Sequence, residues 1–149
     1  MHRVLAFILI LSVNSSAFSQ DQWPQFRGSD ANGHYAGAIV TDWSEEDGVI
    51  WKTAIHDRGW SSPVVWNDQV WITTATRDGH KLYAVCLDKQ TGKVIHDIHV
   101  FDVENPQRIA VDNSYATPTA AIQQGRIFVH FGTYGTACLD TKSGNVIWS

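Results

Sequence analysis

Little in this 149-residue chain points to a reactive centre. None of the seven histidines stands in a His-x-His or Cys-x-x-Cys spacing, so no metal-ligand signature is present. His96 and His99, three apart on an expected strand, point to opposite faces and make a poor ligand pair. There is no Gly-x-Ser-x-Gly, phosphate loop or zincin motif. Basic residues are not clustered, and 11 Lys and Arg face 15 Asp and Glu. That balance argues against a nucleic-acid partner, which calls for a basic face. Outside the first 19 residues no stretch repeats apolar side chains at helical spacing, and the class is read as all-β. No apolar run is long enough for a spanning helix, so no transmembrane anchor is expected.

The first 19 residues have the form of a secretory signal. His2 and Arg3 precede an apolar run over 4–13, and Ala17-Phe18-Ser19 fits small-x-small cleavage before Gln20. No cysteine follows the run, which argues against a lipid anchor. Removal takes away Arg3 and no acid, leaving a net charge of −5. The expected location is periplasmic or secreted.

What the chain does have is a repeat. Cys86-Leu87-Asp88-Lys89-Gln90-Thr91-Gly92-Lys93-Val94-Ile95-His96 returns as Cys138-Leu139-Asp140-Thr141-Lys142-Ser143-Gly144-Asn145-Val146-Ile147-Trp148, 52 residues on. Each copy reads as strand, tight turn, strand. The Asp carboxylate can accept turn N–H groups, and Gly takes the positive φ that a Cβ would oppose. A hairpin with no role beyond folding is the plainest reading of either copy.

These residues resemble the tryptophan-docking motif of pyrroloquinoline quinone (PQQ) repeat β-propellers, Ala-x-Asp-x-x-Thr-Gly-Lys-x-x-Trp. The first copy matches at Asp88, Thr91, Gly92 and Lys93, with Cys86 for Ala and His96 for Trp. The second matches at Asp140, Gly144 and Trp148, with Cys138, Ser143 and Asn145 as departures. In that family the terminal Trp packs across the gap between neighbouring blades, where its large apolar area joins one sheet to the next. The resemblance covers roughly 48–149 and implies a β-propeller. Trp23-Pro24-Gln25-Phe26-Arg27-Gly28 is similar to the segment that opens many exported PQQ-like propellers, and is expected to pack as an arm over one end.

The expected layout is a signal over 1–19, an N-terminal arm over 20–47, a lone ring-closing strand over 48–59, a first blade over 60–101, a connection over 102–114 and a second blade over 115–149. Gly48-Val49-Ile50-Trp51-Lys52 echoes the last strand of the repeat, with its strand placed over 49–55. Strands are placed at 63–66, 69–74, 81–87 and 93–100, then at 119–122, 126–131, 136–139 and 145–148. Asp78-Gly79 is a strong hairpin signal between the second and third. Asp30-Ala31-Asn32-Gly33 reads as a turn; it lacks the acidic ligands that follow in a calcium loop. A propeller takes about four to eight blades, so two blades and a strand read as part of a seven- or eight-bladed ring, or as one share of a ring built from several chains. The expected partners are therefore the missing blades or another protein.

Cys86 and Cys138 occupy equivalent positions in the two copies, too far apart to bridge, and are expected as buried free thiols. Trp60, Ser61 and Ser62 precede the first blade's inner strand; Asn113, Ser114, Tyr115 and Thr117 precede the second's. Trp60, Ser61, Asn113 and Tyr115 are weak candidates for a ligand site at a funnel mouth, with turn and capping roles as the alternative. No catalytic or metal-binding residue is assignable. Two functions stay open. One is a non-catalytic binding or assembly scaffold without cofactor, similar to the propeller of the outer-membrane protein assembly factor. The other is a PQQ-dependent dehydrogenase, or a truncated remnant of one, which the resemblance would equip with PQQ and calcium. Such enzymes are known for a vicinal cysteine pair, and this chain has no adjacent cysteines.

Overall fold

The computed structural model describes residues 22–149, and the expected signal over 1–19 lies outside them. Eight strands form two four-stranded antiparallel sheets, each a simple meander in chain order. The first sheet holds β1 (Val64–Trp66), β2 (Gln69–Ala75), β3 (Lys81–Asp88) and β4 (Val94–Asp102). The second holds β5 (Ala121–Gln123), β6 (Arg126–His130), β7 (Thr136–Asp140) and β8 (Val146–Trp148). A three-residue 3-10 turn at Gly132–Tyr134 is the sole helical element among the described residues. None of them forms a helix long and apolar enough to cross a membrane. The all-β class follows from the sequence because Val, Ile, Thr and aromatics fill short runs separated by Asn-Asp, Asp-Gly and Gln-Gly turns.

The core lies between the sheets. Trp71, Leu82, Ala84 and Cys86 from the first meet Ile122, Ile127, Val129, Ala137 and Leu139 from the second. Register fixes which side chains share a face. Trp71 stands opposite Cys86, and Cys86 opposite His96. Phe128 likewise stands opposite Cys138, and Cys138 opposite Trp148. The Trp71–Cys86–His96 row faces inward against the second sheet, whereas its counterpart Phe128–Cys138–Trp148 lies on the second sheet's outer face. The same element thus presents the same face in each sheet, as stacked repeats do.

Residues 49–55, expected as a strand, form none. Both edges of the first sheet run without them; Trp51 and Thr53 lie on the turn 88–92, and His56, which follows, lies on the sheet's other face beside Tyr83 and Asp97. Only Arg58 at its end pairs, in an isolated bridge to Ala75.

The arm joins the sheets at their first strands. Trp23 exchanges both main-chain hydrogen bonds with Val65 of β1, at 2.9 and 2.8 Å, and the carbonyl of Pro24 accepts the Ile122 N–H of β5 at 2.8 Å. One short segment therefore occupies the free edge of β1 and reaches β5. Gly28, at φ 79°, lets the backbone turn back under the Trp23 ring, where any Cβ would collide.

Candidate functional site

The repeated turns hold the most defined chemistry in the molecule. Asp88 Oδ1 accepts the N–H of Gln90 (3.1 Å), the N–H of Thr91 (2.7 Å) and the Thr91 hydroxyl (2.7 Å). Asp140 Oδ1 accepts the matching set from Lys142 (3.1 Å) and from Ser143 N–H (2.7 Å) and hydroxyl (2.9 Å). The Thr91 hydroxyl bond, then the Thr91 N–H, holds the Asp88 carboxyl below its ordinary value. For Asp140 the Ser143 N–H leads and the Ser143 hydroxyl follows, in the same direction. Gly92 and Gly144 close the turns at φ 69° and 75°.

Each glycine carries an aromatic ring from the preceding layer. A Cβ at Gly92 would sit 2.5 Å from the Trp51 ring, and one at Gly144 would sit 2.9 Å from His96 Nδ1. The Trp51 indole N–H also donates to the Lys89 carbonyl at 2.9 Å, and the Thr53 hydroxyl to the Gly92 carbonyl at 2.6 Å. At the second contact His96 takes the ring's place. The carbonyl equivalent to that of Lys89 belongs to Thr141, and it is the Gln69 amide that donates to it, at 2.8 Å. The Trp71 indole N–H fixes Gln69 through its Oε1 at 3.1 Å, and Trp71 stacks on His96 at 5.8 Å. His96 Nε2 is left buried with no partner. Trp148 occupies the third equivalent position. It packs beside Phe128 at 6.1 Å, remains 48% exposed, and no described turn covers it.

Of the motif residues, Asp88, Thr91, Gly92, Asp140 and Gly144 build the two turns. Lys93 contributes its main chain, its carbonyl accepting the Asp88 N–H at 2.8 Å. Cys86 and Cys138 are both free and buried. Burial, then the neighbouring Asp88 charge, pushes the Cys86 thiol up to about 12, which leaves it inert as a nucleophile.

The four mouth candidates do not converge. Trp60 and Asn113 share one surface patch. The Trp60 indole N–H donates to the Asp112 carbonyl at 2.9 Å, and the Arg58 guanidinium lies 4.9 Å over its ring. Asn113 Oδ1 accepts the Ser114 N–H and the Thr117 hydroxyl, both at 2.8 Å. Tyr115 turns away. Its ring covers Gly79, and its hydroxyl donates to the Gln107 carbonyl at 2.7 Å. Ser61 faces β2, its Oγ accepting the Thr73 N–H at 3.0 Å.

Ser61 also lines a cleft of about 220 Å³ with His56, Asp57, Thr73 and Thr74. Here both ring nitrogens of His56 meet carboxylates, Nδ1 at 2.7 Å from Asp57 and Nε2 at 3.0 Å from Asp97. While both contacts hold, the ring carries a proton on each nitrogen and has no lone pair with which to deprotonate Ser61. The Thr73 and Thr74 hydroxyls lack partners, yet both are sealed from the cleft's solvent. No cluster of three metal-ligating side chains occurs among the described residues.

No family model matches the chain, and no curated protein matches it.

Four residues of this geometry went unforeseen. Trp51 was visible as an echo of the repeat, but the glycine it would cover was not. Gln69 carries no sequence signal, because its role follows from a carbonyl that His96, unlike Trp51, leaves without an indole donor. The His56–Asp97 pair spans 41 residues and depends on strand register.

Proposed function

We propose that this chain is part of an exported PQQ-like β-propeller that acts as a non-catalytic binding or assembly scaffold. The observation that carries the reading is the repeated ring-on-glycine contact, Trp51 on Gly92 and His96 on Gly144, which stacks one layer on the next. The uncovered Trp148 stands ready for a third such contact, with a further Asp-x-x-Thr-Gly turn as the complementary surface. Val146 and Ile147 beside it are exposed as well, and a patch of this kind favours association. The scaffold reading is further supported by the mouth residues, whose polar groups bond to one another's loops or to their own.

Two experiments test it. Sedimentation of the purified protein is expected to show concentration-dependent association that Trp148→Glu abolishes; a wild-type monomer at all concentrations would count against the open-face reading. The function class is tested by dye reduction with added PQQ and calcium. Turnover of an alcohol or sugar, lost on chelation, would replace the scaffold by a quinone-dependent dehydrogenase.

A further inference from the structure

We propose that residues 48–57 form a strap latched onto the first sheet by a protonated His56, and that the latch releases as the pH rises. The proposal rests on the geometry of this segment and is independent of the scaffold reading.

The strap is held almost entirely by side chains. No main-chain hydrogen bond joins residues 49–57 to another described residue, whereas Arg58 at the end exchanges two with Ala75, at 3.1 and 2.9 Å. One half is fixed by Trp51 and Thr53 on the turn 88–92. The other half is fixed by His56, whose Nε2 reaches Asp97 on β4 at 3.0 Å and whose ring stands edge-on to Tyr83 of β3 at 4.8 Å. The Lys52–Glu45 ion pair is exposed on both sides and adds little.

Carboxylates can only accept, so holding Asp57 and Asp97 at once requires a proton on each ring nitrogen. Loss of one proton sets a nitrogen lone pair against a carboxylate. The Asp57 contact is the shorter, at 2.7 Å, and links adjacent residues, so it survives as the neutral Nδ1–H tautomer. The contact given up is the one to Asp97, which is the one that ties strap to sheet.

The surroundings favour the charged ring. Asp57 and Arg58 flank it on the strap, and Asp57 and Arg58 share a hollow with Arg77. Tyr83 faces it from β3; from β4 come Asp97 and, beyond Tyr83, His99, itself paired with Asp102 at 3.2 Å. The cleft wall from β2 is Ile72, Thr73 and Thr74, without charge. Burial of the ring is the largest single effect and opposes its charge, but the bonds and charges of Asp57 and Asp97 together outweigh it and hold the pKa above 6.5. With the folded value raised, the stabilisation is whole below 6.5 and is lost as the pH climbs through the folded value.

The test is NMR on the purified full chain between about pH 6 and about pH 8.5, the range in which histidine changes charge. The His56 ring nitrogens report its titration, and exchange of the Trp51 indole N–H, corrected for its intrinsic rate, reports the strap. Protection of that indole is expected to fall severalfold with a midpoint matching that of His56. It should be low and pH-independent in His56→Gln and in Asp97→Asn, and follow the wild-type profile in His99→Gln. A flat wild-type profile, a midpoint unrelated to His56, or an unchanged profile in His56→Gln would each overturn the latch. If both variants unfold, the match of the two wild-type midpoints still decides.

Discussion

At the scale of single residues, two carboxylates and two glycines set the repeated turn. Asp88 and Asp140 each gather two main-chain N–H groups and a hydroxyl onto one oxygen, and the carboxylate charge strengthens each of these bonds. Their folded pKa values lie below 3.8, so the stability they lend is whole above that value and disappears as the pH falls beneath it. Asp88→Asn is therefore expected to melt lower than wild type at neutral pH, with the gap closing as the pH falls below 3.8 in an acid titration followed by circular dichroism. Gly144 is constrained twice, by φ 75° and by the His96 ring. Gly144→Ala should cost more than about 1 kcal/mol in urea unfolding, the usual penalty for a Cβ at positive φ with added crowding. Both thiols are buried, so thiol titration should find two reactive groups after denaturation and almost none before.

At the scale of elements, much was legible in the sequence. The eight strands fall within about two residues of their expected places because hairpin turns such as Asp78-Gly79 and alternating apolar runs speak through local chemistry. The segment 49–55 pairs with neither described sheet, and its expected pairing, with the last blade of a ring, involves no strand among the described residues. Its Trp51 ring lies on the Gly92 turn, just as the His96 ring of β4, itself in a ladder, lies on Gly144. The candidate site was less legible. Trp60, Ser61, Asn113 and Tyr115 were grouped by their place before the inner strands, yet each side chain is directed by a different partner. Gln69 is the clearest case of information absent from local sequence. Gln69→Ala would leave the Thr141 carbonyl and the Trp71 indole without partners, and should cost about 1–3 kcal/mol by thermal or urea unfolding. Trp51→Ala should cost about 2 kcal/mol, from a half-buried ring and one hydrogen bond.

At the scale of the whole molecule, three layers lie one upon another: strap, first sheet, second sheet. The strap and the second sheet cover the first sheet's two faces, while the second sheet's outer face, with Phe128 and Trp148, stays open. In a stack of this kind stability is close to a sum of single-layer and nearest-neighbour terms. The bare layer has one neighbour fewer, so fraying should begin there and travel inward. Amide exchange measured strand by strand would then show a gradient, fastest in β8 and slowest in β2 and β3, which lie against neighbours on both sides. The turn at Gly144 links the two regimes, since it joins β7 and β8 of the fraying sheet and carries the His96 ring of the protected one.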